Sequence, residues 1–239
     1  MKSYTGCSGF HYKNWKGDFY PEDLKQKEWL PFYARHFNTV EINNTFYNTP
    51  KKSTFENWLE QTPKGFRFAV KGSRYVTHLK KLRDSEEHTR NFYQAIEPLA
   101  EKINAVLWQL PRNQHRDVEK IEKFCQSLSK DFVSVIEFRH PSWFEEKIYE
   151  LLAKYNVVTC SLSAPDNLPE VLENKTGKAY LRLHGKKNWY DYYYAESELK
   201  KWSGRIKKSN IKEIYIYFNN DMHTNAVKNG NMMKEYLEE

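Results

Sequence analysis

The sequence has little that would cross-link it, cradle a phosphate on bare backbone or carry it through a bilayer. Its three cysteines, Cys7, Cys125 and Cys160, are odd in number and far apart. That excludes a disulfide framework and the paired spacing of a zinc site, so all three read as reduced packing residues. Glycine and proline number nine each in 239 residues, and no stretch is rich enough in either to be a linker or low-complexity tract. An open doubly wound sheet usually carries a glycine-rich phosphate turn after its first strand, and Gly6-Cys7-Ser8-Gly9 is too short a match. No apolar run approaches the ~20 residues that span a bilayer. Met1 to Thr5 leads directly into a strand and not into a signal peptide. The expectation is a cytoplasmic protein with no membrane partner.

What is abundant is aromatic surface and positive charge. Aromatic residues make up 16% of the chain, enough for a core despite a lean 39% of apolar residues, because each ring buries a large area. The formal net charge is +7, which favours nucleic acid or phosphorylated metabolites as partners but also serves solubility.

Short apolar runs recur along the whole chain and end in polar side chains. Period-2 patterning predicts eight strands: Tyr4 to Ser8, Thr39 to Asn43, Arg67 to Lys71, Ala105 to Gln109, Val133 to Arg139, Val157 to Ser161, Ala179 to His184 and Ile214 to Phe218. Helical periodicity lies between them at Lys27 to Phe37, Ser53 to Gln61, Ser85 to Ile96, Val118 to Leu128, Ser142 to Tyr155, Glu196 to Lys207 and Ala226 to Leu237, with a short weak stretch near Leu168 to Glu173. Ser53 and Ser142 are candidate helix caps. Strand then helix, repeated, predicts one α/β domain over residues 1–239: a TIM-type (β/α)8 barrel, irregular around its sixth helix.

Successive strand residues face opposite sides, so bulky apolar residues assigned to the helix layer reveal which partners point into the barrel. Val40, Ile42, Ile136, Phe138, Leu181 and Leu183 go outward. Glu41, Asn43, Lys71, Gln109, Glu137, Arg139, Arg182, His184 and Asn219 then gather inside, at the C-terminal rim where barrel active sites lie. Pairing Glu41 and Glu137 against Lys71, Arg139 and Arg182 leaves one cation unmatched, and an isolated buried charge costs several kcal/mol, roughly. An anionic ligand would supply the missing charge. By the same sorting Cys7 and Cys160 face outward, away from any cation that would activate them.

The motifs Gly6-Cys7-Ser8-Gly9-Phe10, Trp15-Lys16-Gly17-Asp18-Phe19-Tyr20-Pro21, Val40-Glu41-Ile42-Asn43-Asn44-Thr45-Phe46-Tyr47, Phe68-Ala69-Val70-Lys71, Gln109-Leu110-Pro111, Glu137-Phe138-Arg139-His140-Pro141-Ser142-Trp143, Arg182-Leu183-His184-Gly185 and Tyr217-Phe218-Asn219-Asn220 resemble the YecE-like family, domain of unknown function 72. The resemblance covers nearly the whole chain. It implies a barrel related to the eight-stranded α/β type and no established reaction. The chain departs from the family pattern at Phe10, where tryptophan is usual, at Arg112, where a second proline is usual, and at Gly230, where alanine is common.

The rim chemistry suggests an anion held by Lys71, Arg139 and Arg182, since guanidinium forks match carboxylate and phosphate oxygens. Asn43, Gln109, His140, Trp143, Asn219 and Asn220 complete the candidate ligand-binding set. Glu41, Glu137 and His184 are the candidate acid and base residues. Glycoside hydrolysis ranks lower, because neighbouring cations would keep both glutamates ionised. A nucleic-acid-binding or endonuclease IV-like phosphodiesterase is the alternative, with Lys51-Lys52, Lys80-Lys81 and Lys186-Lys187 around the rim. Trp189 and Tyr190 are the aromatics best placed to stack on a base or sugar. No cofactor or metal is expected, because His78, His140 and His184 lack ligand spacing and three cations would repel a divalent ion. A non-catalytic scaffold remains if the rim charges satisfy one another.

Overall fold

The structure, a computed structural model, describes residues 1–166 and 168–239. Eight parallel strands, β1 (Lys2–Cys7), β2 (Thr39–Ile42), β3 (Arg67–Lys71), β4 (Ile103–Gln109), β5 (Ser134–Glu137), β6 (Val158–Ser163), β7 (Lys178–Leu183) and β8 (Glu213–Phe218), form one sheet in the order β1-β8-β7-β6-β5-β4-β3-β2. The helices α1 (Trp29–His36), α2 (Lys52–Glu60), α3 (Glu86–Ile96), α4 (Val118–Ser127), α5 (Glu146–Lys154), α6 (Glu196–Lys207) and α7 (Asn225–Glu238) surround it, giving a TIM-like α/β barrel. Among the described residues no helix is long and apolar enough to cross a membrane.

Among the described residues the seam between β1 and β2 carries no regular ladder, only a bridge between Ser8 and Glu41. Side chains stitch it instead. The Tyr33 hydroxyl accepts from Cys7 N at 2.7 Å and donates to Thr39 O at 3.0 Å, while Asn38 accepts from Thr5 N and donates to Ser3 O. Gly6 permits the approach, since a Cβ there would stand 2.0 Å from Thr39 O.

The outward set Cys7, Val40, Ile42, Phe68, Val70, Trp108, Ile136, Phe138, Leu181, Leu183, Ile216 and Phe218 packs under the helices in one apolar layer. The barrel interior is filled by Tyr4, Ala69, Leu107, Val135, Cys160, Leu162, Tyr180, Tyr215 and Tyr217. Cys160 therefore faces inward, contrary to the expectation from patterning. On β6 the apolar residues Val158, Cys160 and Leu162 point into the barrel, which leaves Thr159, Ser161 and Ser163 on the outer face.

That reversal explains why the weak pattern at Leu168 to Glu173 forms no helix. A hydroxyl-lined face gives an apolar helix nothing to bury, whereas extended chain can hydrogen-bond to it. Glu173 N donates to Ser161 Oγ at 3.0 Å, Ser163 Oγ donates to Glu170 Oε1 at 2.8 Å, and Arg205 Nη2 of α6 donates to Glu170 O at 3.0 Å.

Element ends differ from expectation where caps were misjudged. The stretch Ser142 to Tyr155 divides into a 3-10 turn, Pro141–Trp143, and α5, because Phe144 leaves helical geometry at φ −85°, ψ 68°. The Ser142 hydroxyl accepts from Arg116 N at 2.9 Å instead of capping α5, and α2 is preceded by Lys51 with no side-chain cap, not by Ser53.

Candidate functional site

The C-terminal strand ends deliver their inward residues to one mouth. Ladder bonds continue past several strand ends: Ser8 N donates to Phe218 O, His184 N to Ser163 O and Asn219 N to Leu183 O, at 2.8 to 2.9 Å. Ser8, His184 and Asn219 are thus held as firmly as strand residues.

Arg182 occupies the centre with 1% of its surface exposed. Its Nη1 donates to Glu137 Oε2 at 2.5 Å, and its Nη2 donates to Glu41 Oε1 at 2.6 Å and Ser8 Oγ at 3.2 Å. Glu41 also accepts from Tyr180 OH at 2.6 Å and from the Ser8 hydroxyl. The second Glu137 oxygen accepts from Arg139 Nε. Burial alone would push the Glu137 carboxyl up, but Arg139 and Arg182 outweigh it and hold it down at about 2. Both glutamates are fully buried and engaged by these donors, and Glu137 is not poised to donate a proton at neutral pH.

His184 is also fully buried. Burial, followed by the charges of Arg139, Arg182 and Lys71, holds its pKa well below the usual range, so the ring is neutral. Nη2 of Arg139 lies 3.2 Å from Nε2, and a guanidinium can only donate. Nδ1 must therefore carry the hydrogen, and Asn219, whose amide lies 2.9 Å away, is best oriented with its carbonyl oxygen towards it. His184 orients Arg139; the anticipated proton transfer is not what this environment favours.

Lys71 is different. Of the mouth's cations it alone has no carboxylate within ion-pair distance among the described residues. Its ammonium lies 4.2 Å from the centre of the Phe46 ring, and the residue is only partly buried. Burial and the charge of Arg182 outweigh Glu137 and Glu41, lowering its pKa to about 7. His78 rests on the same Phe46 ring, centroids 4.9 Å apart. Burial, Lys71 and Arg74 bring its pKa to about 4.

The β7–α6 connection folds Trp189 over this mouth. Its ring is sandwiched between Arg139, 4.4 Å away, and Arg112, 4.5 Å away, and its Nε1 donates to Asp166 Oδ2 at 3.0 Å. Arg112 pairs with the same Asp166 oxygen at 3.0 Å. Beside the mouth a cavity of about 420 Å³ is lined by Ser8, Phe10, Tyr12, Asn43, Thr54 and Trp58 among others. Asn43 Nδ2 donates to Ser8 Oγ at 2.7 Å, while its buried Oδ1 has no partner among the described residues. Gln109 follows Leu107 on the inner face of β4 and is partly buried.

Three anticipated ligand contacts are occupied elsewhere. Trp143 is buried in the outer layer, stacked on Phe138 at 4.6 Å and donating to Gln114 O at 2.7 Å. Asn220 ties the β7–α6 connection to α7 through Tyr192 O and Asn229 Oδ1. His140 binds Ser142 through Nδ1 at 2.9 Å and packs against His115 at 3.9 Å, outside the central network. Conversely, Ser8, His78 and Arg112 belong to the mouth but were not in the anticipated set. Ser8 was detectable as the polar residue ending the first strand; His78 sits in a helical turn, Tyr75–Leu79, and Arg112 in a loop, where strand parity says nothing.

Among the described residues no group of three or more His, Cys, Asp or Glu side chains is placed to hold a metal ion. Cys7, Cys125 and Cys160 are free and buried, and burial pushes all three thiols up. The Cys160 thiol reaches Glu137 Oε2 at 3.9 Å.

The family model "Protein of unknown function DUF72" matches residues 4–239. The UPF0759 protein YunF of Bacillus subtilis (strain 168) is 25% identical, with the alignment spanning 98% of this chain and 94% of that protein. A crystal structure of a DUF72 family protein from Thermotoga maritima MSB8 superposes with TM-score 0.91 at 34% identity, covering all of both chains. SacUVDE superposes with TM-score 0.58 at 8% identity over 98% of each chain, a likeness of fold alone.

Proposed function

The chain belongs to the DUF72 family, described as proteins of unknown function, and from that premise we propose that its barrel mouth binds a small phosphate- or carboxylate-bearing molecule. The observation that carries this reading is the uneven pairing of charge. Two carboxylates are engaged by two guanidiniums, and the third cation, Lys71, has only the Phe46 ring. Among the described residues the Nη1 edge of Arg139 also has no protein acceptor. An anion lying against Lys71 and that edge would complete the network, and the neighbouring cavity would take its uncharged part.

A nucleic-acid ligand has less support. Lys186 is paired with Glu198 at 3.0 Å and Lys52 with Glu56 at 3.6 Å, so the basic doublets are partly neutralised locally. The absence of a metal-ligand cluster among the described residues also removes the main chemical support for an endonuclease IV-like phosphodiesterase.

Calorimetric titration with inorganic phosphate, oxalate and a short oligonucleotide tests the reading. An anion raises the Lys71 pKa above about 7, so binding at pH 8 takes up a proton, seen as a heat that depends on buffer ionisation. At pH 5.5 Lys71 is already charged and the uptake disappears. Lys71→Met should abolish both binding and uptake. Steeply salt-dependent binding of the oligonucleotide alone would replace this reading with the nucleic-acid one.

A further inference from the structure

The position of Lys71 supports chemistry as well as binding. It ends β3 with its side chain in the mouth, outside every carboxylate pair, beside two guanidiniums and against an aromatic ring. Lysines made nucleophilic in proteins share these features: desolvation and neighbouring positive charge favour the neutral amine.

Phe46 carries His78 alongside. The Thr77 hydroxyl lies 3.4 Å from Ser73 O and 2.9 Å from His78 Nδ1. With its hydrogen directed to Ser73, Thr77 accepts Nδ1–H, which leaves the Nε2 lone pair of a neutral imidazole free.

Building on the anion-site reading, we propose that Lys71 is an amine nucleophile that forms a reversible imine with an anionic aldehyde or ketone, such as an α-keto acid or the phosphate ester of a short aldehyde. The lone pair of Nζ attacks the carbonyl carbon, and the carbonyl π electrons move to oxygen, which takes up a proton from solvent. His78 accepts the proton released from nitrogen and returns it to the hydroxyl as the C–O bond breaks. Water leaves, the second nitrogen proton is released to solvent in place of the one taken up, and C=N forms; hydrolysis reverses every step. No oxidant or reductant is consumed. The anionic group lies on the open edge of Arg139, and the two glutamates keep Arg182 fixed behind it.

Reductive trapping tests this directly. The protein is incubated at pH 7.5 with glyoxylate or glycolaldehyde phosphate and cyanoborohydride, then digested and mapped by mass spectrometry. In the unliganded protein a lysine with a pKa of about 7 is mostly neutral at this pH, whereas an ordinary lysine is neutral in less than about one molecule in five hundred; a bound anion raises that pKa, and attack draws on the neutral fraction that remains. Lys71 should be modified at least about ten-fold faster than any other lysine, even though an amine of lower pKa is less nucleophilic per neutral molecule. Inorganic phosphate should suppress that labelling, and His78→Asn should slow it. Labelling of Lys71 no faster than surface lysines, in protein that binds phosphate, would overturn the imine and leave the anion site standing. Failure of every anion to bind would remove the anion site itself.

Discussion

The two sides of the barrel mouth treat charge in opposite ways. Towards β5 and β7, Glu137, Arg139, Arg182 and His184 join Glu41 of β2 in a network in which every charge is paired and the side chains are almost completely buried. Towards β3, Lys71 and His78 share an aromatic ring, meet no carboxylate, and have depressed pKa values. The first arrangement fixes positions and resists titration; the second is reactive to whatever enters. A site that must hold a substrate and change it needs both, a rigid electrostatic wall and a group whose charge is not yet settled.

The sharpest break of this comparison is Glu137→Gln. It keeps the volume but leaves Arg139 without its carboxylate and Arg182 with Glu41 alone, and removing one partner of a buried ion pair costs about 3–5 kcal/mol. Urea denaturation should show a loss of that size at neutral pH. The Glu137 carboxyl sits at about 2, below its ordinary 4.5. Its contribution is complete above pH 4.5 and declines as pH falls towards 2, so the gap between wild type and variant should narrow across that window. A loss under about 1 kcal/mol would mean that the wall is not held by its charges.

Lys71→Met probes the other side and should act with the opposite sign. The ammonium is disfavoured in the folded chain, so below pH 7 the variant should be the more stable, by roughly 1–3 kcal/mol. Between pH 7 and 10.5 the unfolded chain holds a proton that the folded chain has released. Wild-type stability therefore rises relative to the variant, and that advantage of the variant fades. Added phosphate should stabilise wild type alone. Destabilisation by Lys71→Met at pH 6 would show that this cation is paired after all.

Much of this contrast was legible in the sequence, because strand parity is a strict geometric rule wherever one face is apolar. Val40 and Ile42 fix Glu41 inward; Leu181 and Leu183 fix Arg182 inward; the count of charges then predicts one unmatched cation. Which cation it would be was not legible. Arg182 reaches both glutamates only because β2, β5 and β7 converge across the barrel, and that depends on closure, not on any local pattern. Parity also failed on β6, where apolar residues face inward and hydroxyls outward, the reverse of the usual helix-side assignment. Trp143 and Asn220 were misassigned for a third reason. They follow strand ends, but the chain turns away from the mouth immediately after His140 and Asn219, and no side-chain pattern records the direction of a turn.

The smallest effect should come from Trp189→Ala, at the ring that lies over the Arg139 side of the mouth. Its ring stacks on Arg139, which Glu137 and His184 already hold, and on Arg112, which Asp166 holds. Each cation-π contact contributes about 0.5–1 kcal/mol at a partly exposed site. The melting temperature should therefore fall by only about 2–4 °C per kcal/mol lost in a chain of this size. The fixed wall would remain in place, because its guanidiniums are oriented by carboxylates and not by the indole. Loss of the ring should admit more water to the mouth and raise the Lys71 pKa from about 7 towards the ordinary lysine range, since burial is the larger cause of the depression. Trapping of Lys71 at pH 7.5 should slow accordingly, while the acid-side stability profile set by Glu137 stays unchanged. A variant that altered the acid profile and left Lys71 reactivity untouched would place Trp189 in the rigid wall and redraw the boundary between the two sides.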